Sequence, residues 1–281
     1  MKFNRFFNIF ILCFFAILTI LSIITIFVFW KYSSTLPDYS TLKEYDPPVT
    51  TRVFSSDGKL LDEFSIEERL FVPFNQMPDN LIKAFLSSED KNFYDHRGID
   101  FFSILKEILI NLKNFNSNKR LVGASTITQQ VAKNFLLSDE LSLSRKIKEA
   151  LLAFKIEQAL SKDRILELYL NQIYLGAGTY GIAAASNRYF EKELSKLSID
   201  EIAYLAALPK APSRYHPIRN YELALDRRNW VLKKMFANKY ISEEELKRYS
   251  NKPIKTFLHK EKNIFSSDYY LEVIRQQIIE T

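Results

Sequence analysis

The chain has 281 residues, with 39 Lys+Arg against 33 Asp+Glu, a formal net charge of +6, 47% hydrophobic residues, 6 Gly, 9 Pro and a single Cys. That apolar fraction excludes collagen-like, low-complexity and wholly disordered chains, and the length allows one large domain or two modest ones. The lone Cys13 permits neither an internal disulfide nor a cysteine metal cluster, three histidines argue against a histidine-rich zinc site, and the positive charge suits phospholipid or pyrophosphate as well as it suits nucleic acid.

From Phe6 to Trp30 there is no charged residue and almost every side chain is apolar. As a helix this run is about 37 Å long, enough to cross a hydrocarbon core of about 30 Å. A cleavable signal peptide is the alternative, but the run is longer than the usual apolar core of one, and no clear small-x-small cleavage pattern follows. The expectation is a retained anchor at 6–30 with a tail at 1–5. Lys2, Arg5 and the amino terminus precede it, which places the tail in the cytoplasm and residues 31 onward across the membrane.

Residues 31–52 read as a linker punctuated by Asp46-Pro47-Pro48. Arg52 to Phe64 then carries Asp57-Gly58 between two apolar arms, a β-hairpin signal, and a further extended piece from Arg69 to Phe74 is expected to pair with it. From Pro78 onward apolar residues recur at helical spacing: Leu81, Ile82, Phe85 and Leu86; Ile147, Ala150, Leu151 and Phe154; Ile165, Leu166, Leu168 and Tyr169. Ser198-x-x-Glu201 and Ser242-x-x-Glu245 are capping-box patterns, the first leading a helix that Pro209 ends. The body is expected to be mainly α with a small β preface.

Between the helices lie polar residues that a plain helical protein does not need. Glu89 and Asp90 end an apolar helix and run into His96 and Gly98 at a turn. Taken alone, such an acidic pair reads most simply as a solvated helix end. Small and amide-bearing residues crowd into Gly123 to Asn134; from the stretch alone, its Ser and Thr either cap a helix or line a site for sugar hydroxyls and amides. Arg145, Lys146 and Glu149 share a helix face, as a salt-bridge ladder or as a phosphate clamp. Gly176-Ala177-Gly178-Thr179-Tyr180-Gly181 matches G-x-G-x-x-G, but it follows a stretch read as helix from Arg164 to Tyr174, so a dinucleotide fold is rejected. Several Ser-x-x-Lys matches lack the accompanying Lys-Thr-Gly of a serine acyl-enzyme.

In order along the chain, Glu89-Asp90-x-x-Phe93-x-x-His96-x-Gly98, Gly123-Ala124-Ser125-Thr126-Ile127-Thr128-Gln129-Gln130, Arg145-Lys146-x-x-Glu149, Ile165-Leu166-Glu167-x-Tyr169-Leu170-Asn171 with the glycine run, and Ala203 to Pro212 resemble the peptidoglycan glycosyltransferase domain of class A penicillin-binding proteins and the monofunctional transglycosylases. The resemblance covers roughly Val53 to Met235. It implies a lysozyme-like helical domain at 53–235 that polymerises lipid II, the 4-hydroxyl of the incoming sugar attacking the anomeric carbon of the lipid-linked chain. It further implies Glu89 as general base, Glu149 as the second catalytic glutamate, and Lys133, Arg145, Lys146 and Lys155 as stabilisers of the leaving pyrophosphate. Asp90, His96, Ser125, Thr126, Gln129, Gln130 and Asn134 are implied as substrate or architectural contacts. A divalent cation, Mg or Mn, is the one cofactor implied, with no organic cofactor, and the partners are lipid II, the growing glycan, the bilayer and other cell-wall proteins, without nucleic acid.

The apolar stretch Phe101 to Leu112 corresponds by resemblance to a membrane-dipping segment; by periodicity alone it is equally a buried core helix. Ser267 to Gln277 resembles the connector toward a penicillin-binding transpeptidase domain, so 236–281 is expected to lead toward a domain this chain lacks, and transpeptidation is not expected of it. A wall hydrolase and a noncatalytic scaffold are the competing readings. The hydrolase would use water as acceptor and would not need the basic clamp around Arg145 and Lys146.

Overall fold

The computed structural model describes residues 2–39, 42, 51–54, 60–64, 70–114, 125–137 and 142–258, with backbone alone at 2–7, 21, 25, 51–54 and 60–64. The apolar run forms α1 (Lys2–Ser33), of which Asn8–Ser33 is long and apolar enough to cross a membrane and packs none of its most apolar stretch against protein. Beyond it the expected linker contributes to the body: Leu42 is buried in the core, and Leu36 and Tyr39 pack against it.

β1 (Thr51–Phe54) and β2 (Leu60–Phe64) pair antiparallel, Thr51 opposite Phe64. The Asp57-Gly58 turn lies outside the described residues. The expected third extended piece does not join this ladder, which has two strands among the described residues. Its described part, from Leu70 onward, is held by a helix instead. Asn171 accepts from the Val72 N–H at 2.8 Å and donates to the Val72 carbonyl at 2.9 Å, while Glu167 accepts from the Phe74 N–H at 2.7 Å. Two side chains thereby satisfy backbone groups that a sheet would otherwise pair.

The body packs α2 (Asp79–Glu89), α4 (Ile127–Leu136), α5 (Leu143–Ala159), α6 (Lys162–Gln172), α7 (Ile182–Phe190), α8 (Ile199–Leu205), α9 (Tyr221–Ala237) and α10 (Glu243–Ser250), while α3 (Phe101–Lys113) buries no residue. Side-chain caps set several helix starts: Thr126 accepts from Gln129 N, Ser142 from Arg145 N, Ser161 from Arg164 N and Ser242 from Glu245 N. Each supplies an acceptor to an otherwise orphaned N–H, which stabilises a helix by about 1 kcal/mol. α6 is buried on every side from Ile165 to Asn171, as a central helix must be, with α4, α5 and α7 around it. α2 rests on α8 and α9.

α6 ends at Gln172, two residues before the sequence pattern suggested, and Tyr174 belongs to a short hairpin of β3 (Tyr174–Gly176) and β4 (Thr179–Tyr180). Gly176, Ala177 and Gly178 all take positive φ, a turn the helix cannot contain. The glycine run is thus a tight hairpin opening α7, without the parallel strands of a dinucleotide fold. At the other end, α9 and α10 continue the body past residue 235, and Phe257 N donates to Tyr189 O at 2.9 Å, so much of the expected connector is integral; Ser267 to Gln277 lie outside the described residues.

Gly98 sits at φ +86°, where a Cβ would come within 2.7 Å of the Ala153 carbonyl oxygen on α5. Gly98→Ala is therefore expected to destabilise the fold by about 2 kcal/mol or more, read as a lower thermal midpoint, because both the conformation and the space exclude a side chain.

Candidate active site

α2 ends at Glu89, and Asp90 closes it outside the helical region, at φ −156° and ψ 79°. The Asp90 carboxylate turns into the protein and accepts from the Ile127 N–H, at the first residue of α4, at 2.9 Å, and from His96 Nε2 at 3.0 Å. A negative charge at a helix N-terminus is stabilised both by the free N–H groups and by the helix dipole. Thr126 and Gln129 complete the junction. Thr126 N donates to Gln129 Oε1 at 3.0 Å, and Thr126 Oγ1 donates to the Gly98 carbonyl at 2.6 Å. Both side chains are buried and bonded at the helix start, and Asp90 and His96 join it to the loop, His96 Nδ1 being buried without a hydrogen-bond partner among the described residues.

The same junction orients Gln130, whose Nε2 donates to Glu89 Oε2 at 3.0 Å. One turn further along α4, Lys133 and Asn134 are exposed. Burial pushes the Glu89 carboxyl above its ordinary value; Asp90 adds to this, while the Gln130 hydrogen bond, Arg227 and Lys210 act against it without cancelling it. Glu89 is thus a carboxyl that holds its proton more tightly than a solvated one, a property suited to a general base near neutral pH.

The second glutamate has contrasting surroundings. Glu149 is 2% exposed on α5, with Lys146 Nζ at 2.6 Å from Oε2 and Arg145 Nε at 3.2 Å from Oε1. Lys146 also donates to Ser125 Oγ at 2.8 Å, tying this cluster to the segment that enters α4. The Lys146 side chain is half-exposed, with its ammonium held between Glu149 and Ser125. Lys155 does not join them: it lies on another face of α5 with its ammonium 5.8 Å above the Tyr39 ring. Helical periodicity separates it from Glu149 by six residues, neither three nor four.

Three residues acquire a place here that sequence reasoning did not give them. Lys210, in the turn after α8, and Arg227, on α9, bring positive charge to Glu89. The Arg227 guanidinium lies 3.9 Å over the Trp230 ring and 5.8 Å from that of Tyr215; Arg and Trp three apart on a helix was the available signal. Lys162, at the start of α6, donates to the His96 carbonyl at 2.6 Å and to Glu157 at 2.7 Å, pinning the loop from below. A cavity of about 450 Å³ lies elsewhere, lined by Lys192, Asp200, Arg228 and Lys252 among others, and contains none of the sequence-predicted site residues. Its buried Arg228 donates to the carbonyls of Ser250 and Lys252, a structural use of the guanidinium.

α3 presents Phe101, Phe102, Leu105, Ile108, Leu109 and Leu112 to the exterior, Phe102 being 85% exposed. Among the described residues the core-helix reading of this stretch is not met: none of its side chains is buried, Ile104 and Ile110 being half-buried. Asp100 caps the helix, accepting from Ser103 N at 2.9 Å and Asn92 Nδ2 at 2.9 Å, so α3 is fixed at its root.

The family model described as Transglycosylase matches residues 57–236. Penicillin-binding protein 1A of Rickettsia conorii is 47% identical over 256 residues, covering 91% of this chain and 32% of that protein; its Escherichia coli K12 namesake is 39% identical over 279 residues, covering 99% and 32%. The crystal structure of penicillin-binding protein 1A from Haemophilus influenzae is 28% identical, with a TM-score of 0.49 over 84% of this chain and 25% of that one. The chain spans about a third of the length of the curated relatives it matches. From the match to the family model and the extent of these identities, the chain belongs to the transglycosylase family.

Proposed function

We propose that this chain polymerises lipid II, transferring the growing lipid-linked glycan to the 4-hydroxyl of the incoming sugar with inversion and release of undecaprenyl pyrophosphate. The observation that carries the reading is the division of the two glutamates: Glu89 is desolvated and held by an amide, whereas Glu149 is enclosed by cations. A sugar hydroxyl is a poor nucleophile, and its proton must leave as the new bond forms; Glu89 takes it. Negative charge grows on the departing pyrophosphate at the same time, and Lys146 and Arg145, with Lys133 from α4, meet it with charge already in place. Glu149 acts through those cations, orienting them.

A resident divalent cation finds little support in this donor set. Both Glu149 oxygens face a cation, and no group of three His, Cys, Asp or Glu that could hold a metal occurs among the described residues. The steps above accordingly use the chain's own residues.

A lipid-linked substrate brings its pyrophosphate to the bilayer surface. α1 supplies an anchor in the bacterial cytoplasmic membrane, the charge bias of its flanks directs the body to the extracytoplasmic side, and the apolar face of α3 enters the near leaflet. Other cell-wall synthesis proteins are natural neighbours in that plane.

Detergent-purified protein incubated with labelled lipid II should yield long glycan resolved by size, and Glu89→Gln should lower that rate by at least ~100-fold while remaining folded. Lys146→Met should reduce turnover by roughly 100-fold, as for loss of one preorganised charge. Folding linkage gives an independent check. Because the folded protein binds the Glu89 proton more tightly than the unfolded chain does, this group's contribution to stability falls as pH rises from the ordinary glutamate range through its folded value. Glu89→Gln should therefore have the higher thermal midpoint at neutral pH, the difference closing on acidification below that range.

A further inference from the structure

Arg227 lies half-buried on α9; its Nε is buried without a hydrogen-bond partner among the described residues, and its guanidinium enters no ion pair among them. Its contacts are aromatic. The guanidinium carbon is 3.9 Å from the centre of the Trp230 ring and 5.8 Å from that of Tyr215, and Lys234, one turn beyond Trp230, brings its ammonium to 5.2 Å from the same indole. A ring attracts the charge of a guanidinium but offers its N–H groups no oxygen acceptor, so these contacts hold Arg227 in place and leave its hydrogen-bonding capacity unused. Taking such donors partly out of water without a partner is destabilising, and their presence calls for an account. The adjacent Arg228 shows the contrast, since its guanidinium is engaged by Asn229 and by the carbonyls of Ser250 and Lys252. α9 packs against α2, the helix that ends at Glu89, so the unused donors stand on an element bordering the one that carries the base.

Resting on the polymerase reading above, we propose that Arg227 binds a carboxylate of the substrate, one of those on the peptide that the muramyl sugar of lipid II carries, with Trp230 and Tyr215 holding the guanidinium ready for it. The planar fork of a guanidinium matches a carboxylate with two parallel hydrogen bonds, and a group already fixed by stacking loses little freedom when it forms them. A pyrophosphate is more highly charged and is better met by the grouped cations Arg145 and Lys146, which Glu149 holds together. Arg227 stands instead among aromatic rings, with Lys234 as the one further cation on the same indole among the described residues, surroundings that suit a single negative charge. The substrate is thereby held at a second point, apart from its pyrophosphate, and a substrate with a charged peptide is distinguished from one without. Binding here is noncovalent and moves no proton.

The test is equilibrium binding of labelled lipid II to the full chain carrying Glu89→Gln, which removes turnover and also the charge on that carboxylate, with thermal midpoints alongside. Two ligands are compared, lipid II and lipid II whose peptide carboxylates are converted to amides. Adding Arg227→Met should weaken lipid II binding about 10-fold, as for loss of one hydrogen-bonded charge pair, and Arg227→Lys should recover only part of this because an ammonium lacks the fork. The amidated lipid should bind about 10-fold more weakly than lipid II when Arg227 is present and should be indifferent to Arg227→Met, the mark of a direct pair. Equal affinity of lipid II for the two proteins overturns the proposal. So does an equal loss for both lipids: with an unchanged midpoint it assigns Arg227 to the pyrophosphate, and with a lowered midpoint it marks the Arg227–Trp230 stack as packing alone. If neither lipid binds the folded Glu89→Gln protein or the wild type, the polymerase reading fails and the carboxylate site with it, a result distinct from binding that ignores Arg227.

Discussion

The site depends on one buried carboxylate. Asp90 joins the end of α2 to the beginning of α4, its buried carboxylate being satisfied by the Ile127 N–H and His96. Glu89 is the adjacent residue on one side, and Gln130 lies one turn into α4 on the other, so the 3.0 Å hydrogen bond between them is a consequence of the junction. The loop between is tied down twice more, by Thr126 at the Gly98 carbonyl and by Lys162 at the His96 carbonyl. Glu89 thus sits at a helix end whose adjoining loop is held by these bonds, the placement that the proposed base requires.

From that junction the chemistry divides along α4 and α5. Near Glu89 the surroundings are desolvated, and the direct polar contact is an amide; near Glu149 they are ionic, with a half-exposed Lys146 beside it. Two carboxyl groups in contrasting environments are suited to contrasting roles, which is the division the proposed function uses. The exposed apolar surfaces of α1 and α3 fit the lipid-linked substrate proposed above.

Much of this was legible in the chain. The apolar run, the helical periodicities of α2, α5 and α6 and the capping boxes at Ser198 and Ser242 depend on local spacing, and they appear as the sequence indicates. The motifs also named the two glutamates and the cations Arg145 and Lys146. What the chain concealed was use. Thr126 and Gln129 could cap a helix or meet a ligand, and only the fold, with Asp90 arriving at the same helix start, shows them occupied by the junction. Lys155 belonged to the basic group by proximity in sequence but falls on another face of its helix, against Tyr39. Lys210 and Arg227 were hidden for the converse reason: each is more than a hundred residues from Glu89, and no local pattern reports a contact of that range. Leu70 to Phe74 read as strand because its backbone is extended, yet its partners are the side chains of Asn171 and Glu167.

The measurement that bears most directly on this division of labour is a structure of the protein with an uncleaved lipid-linked pyrophosphate substrate. The account predicts the pyrophosphate against Lys146 and Arg145, with the acceptor hydroxyl within hydrogen-bond reach of Glu89. A pyrophosphate seated instead between Lys210 and Arg227, with Lys146 still turned to Glu149 and Ser125 alone, would contradict it.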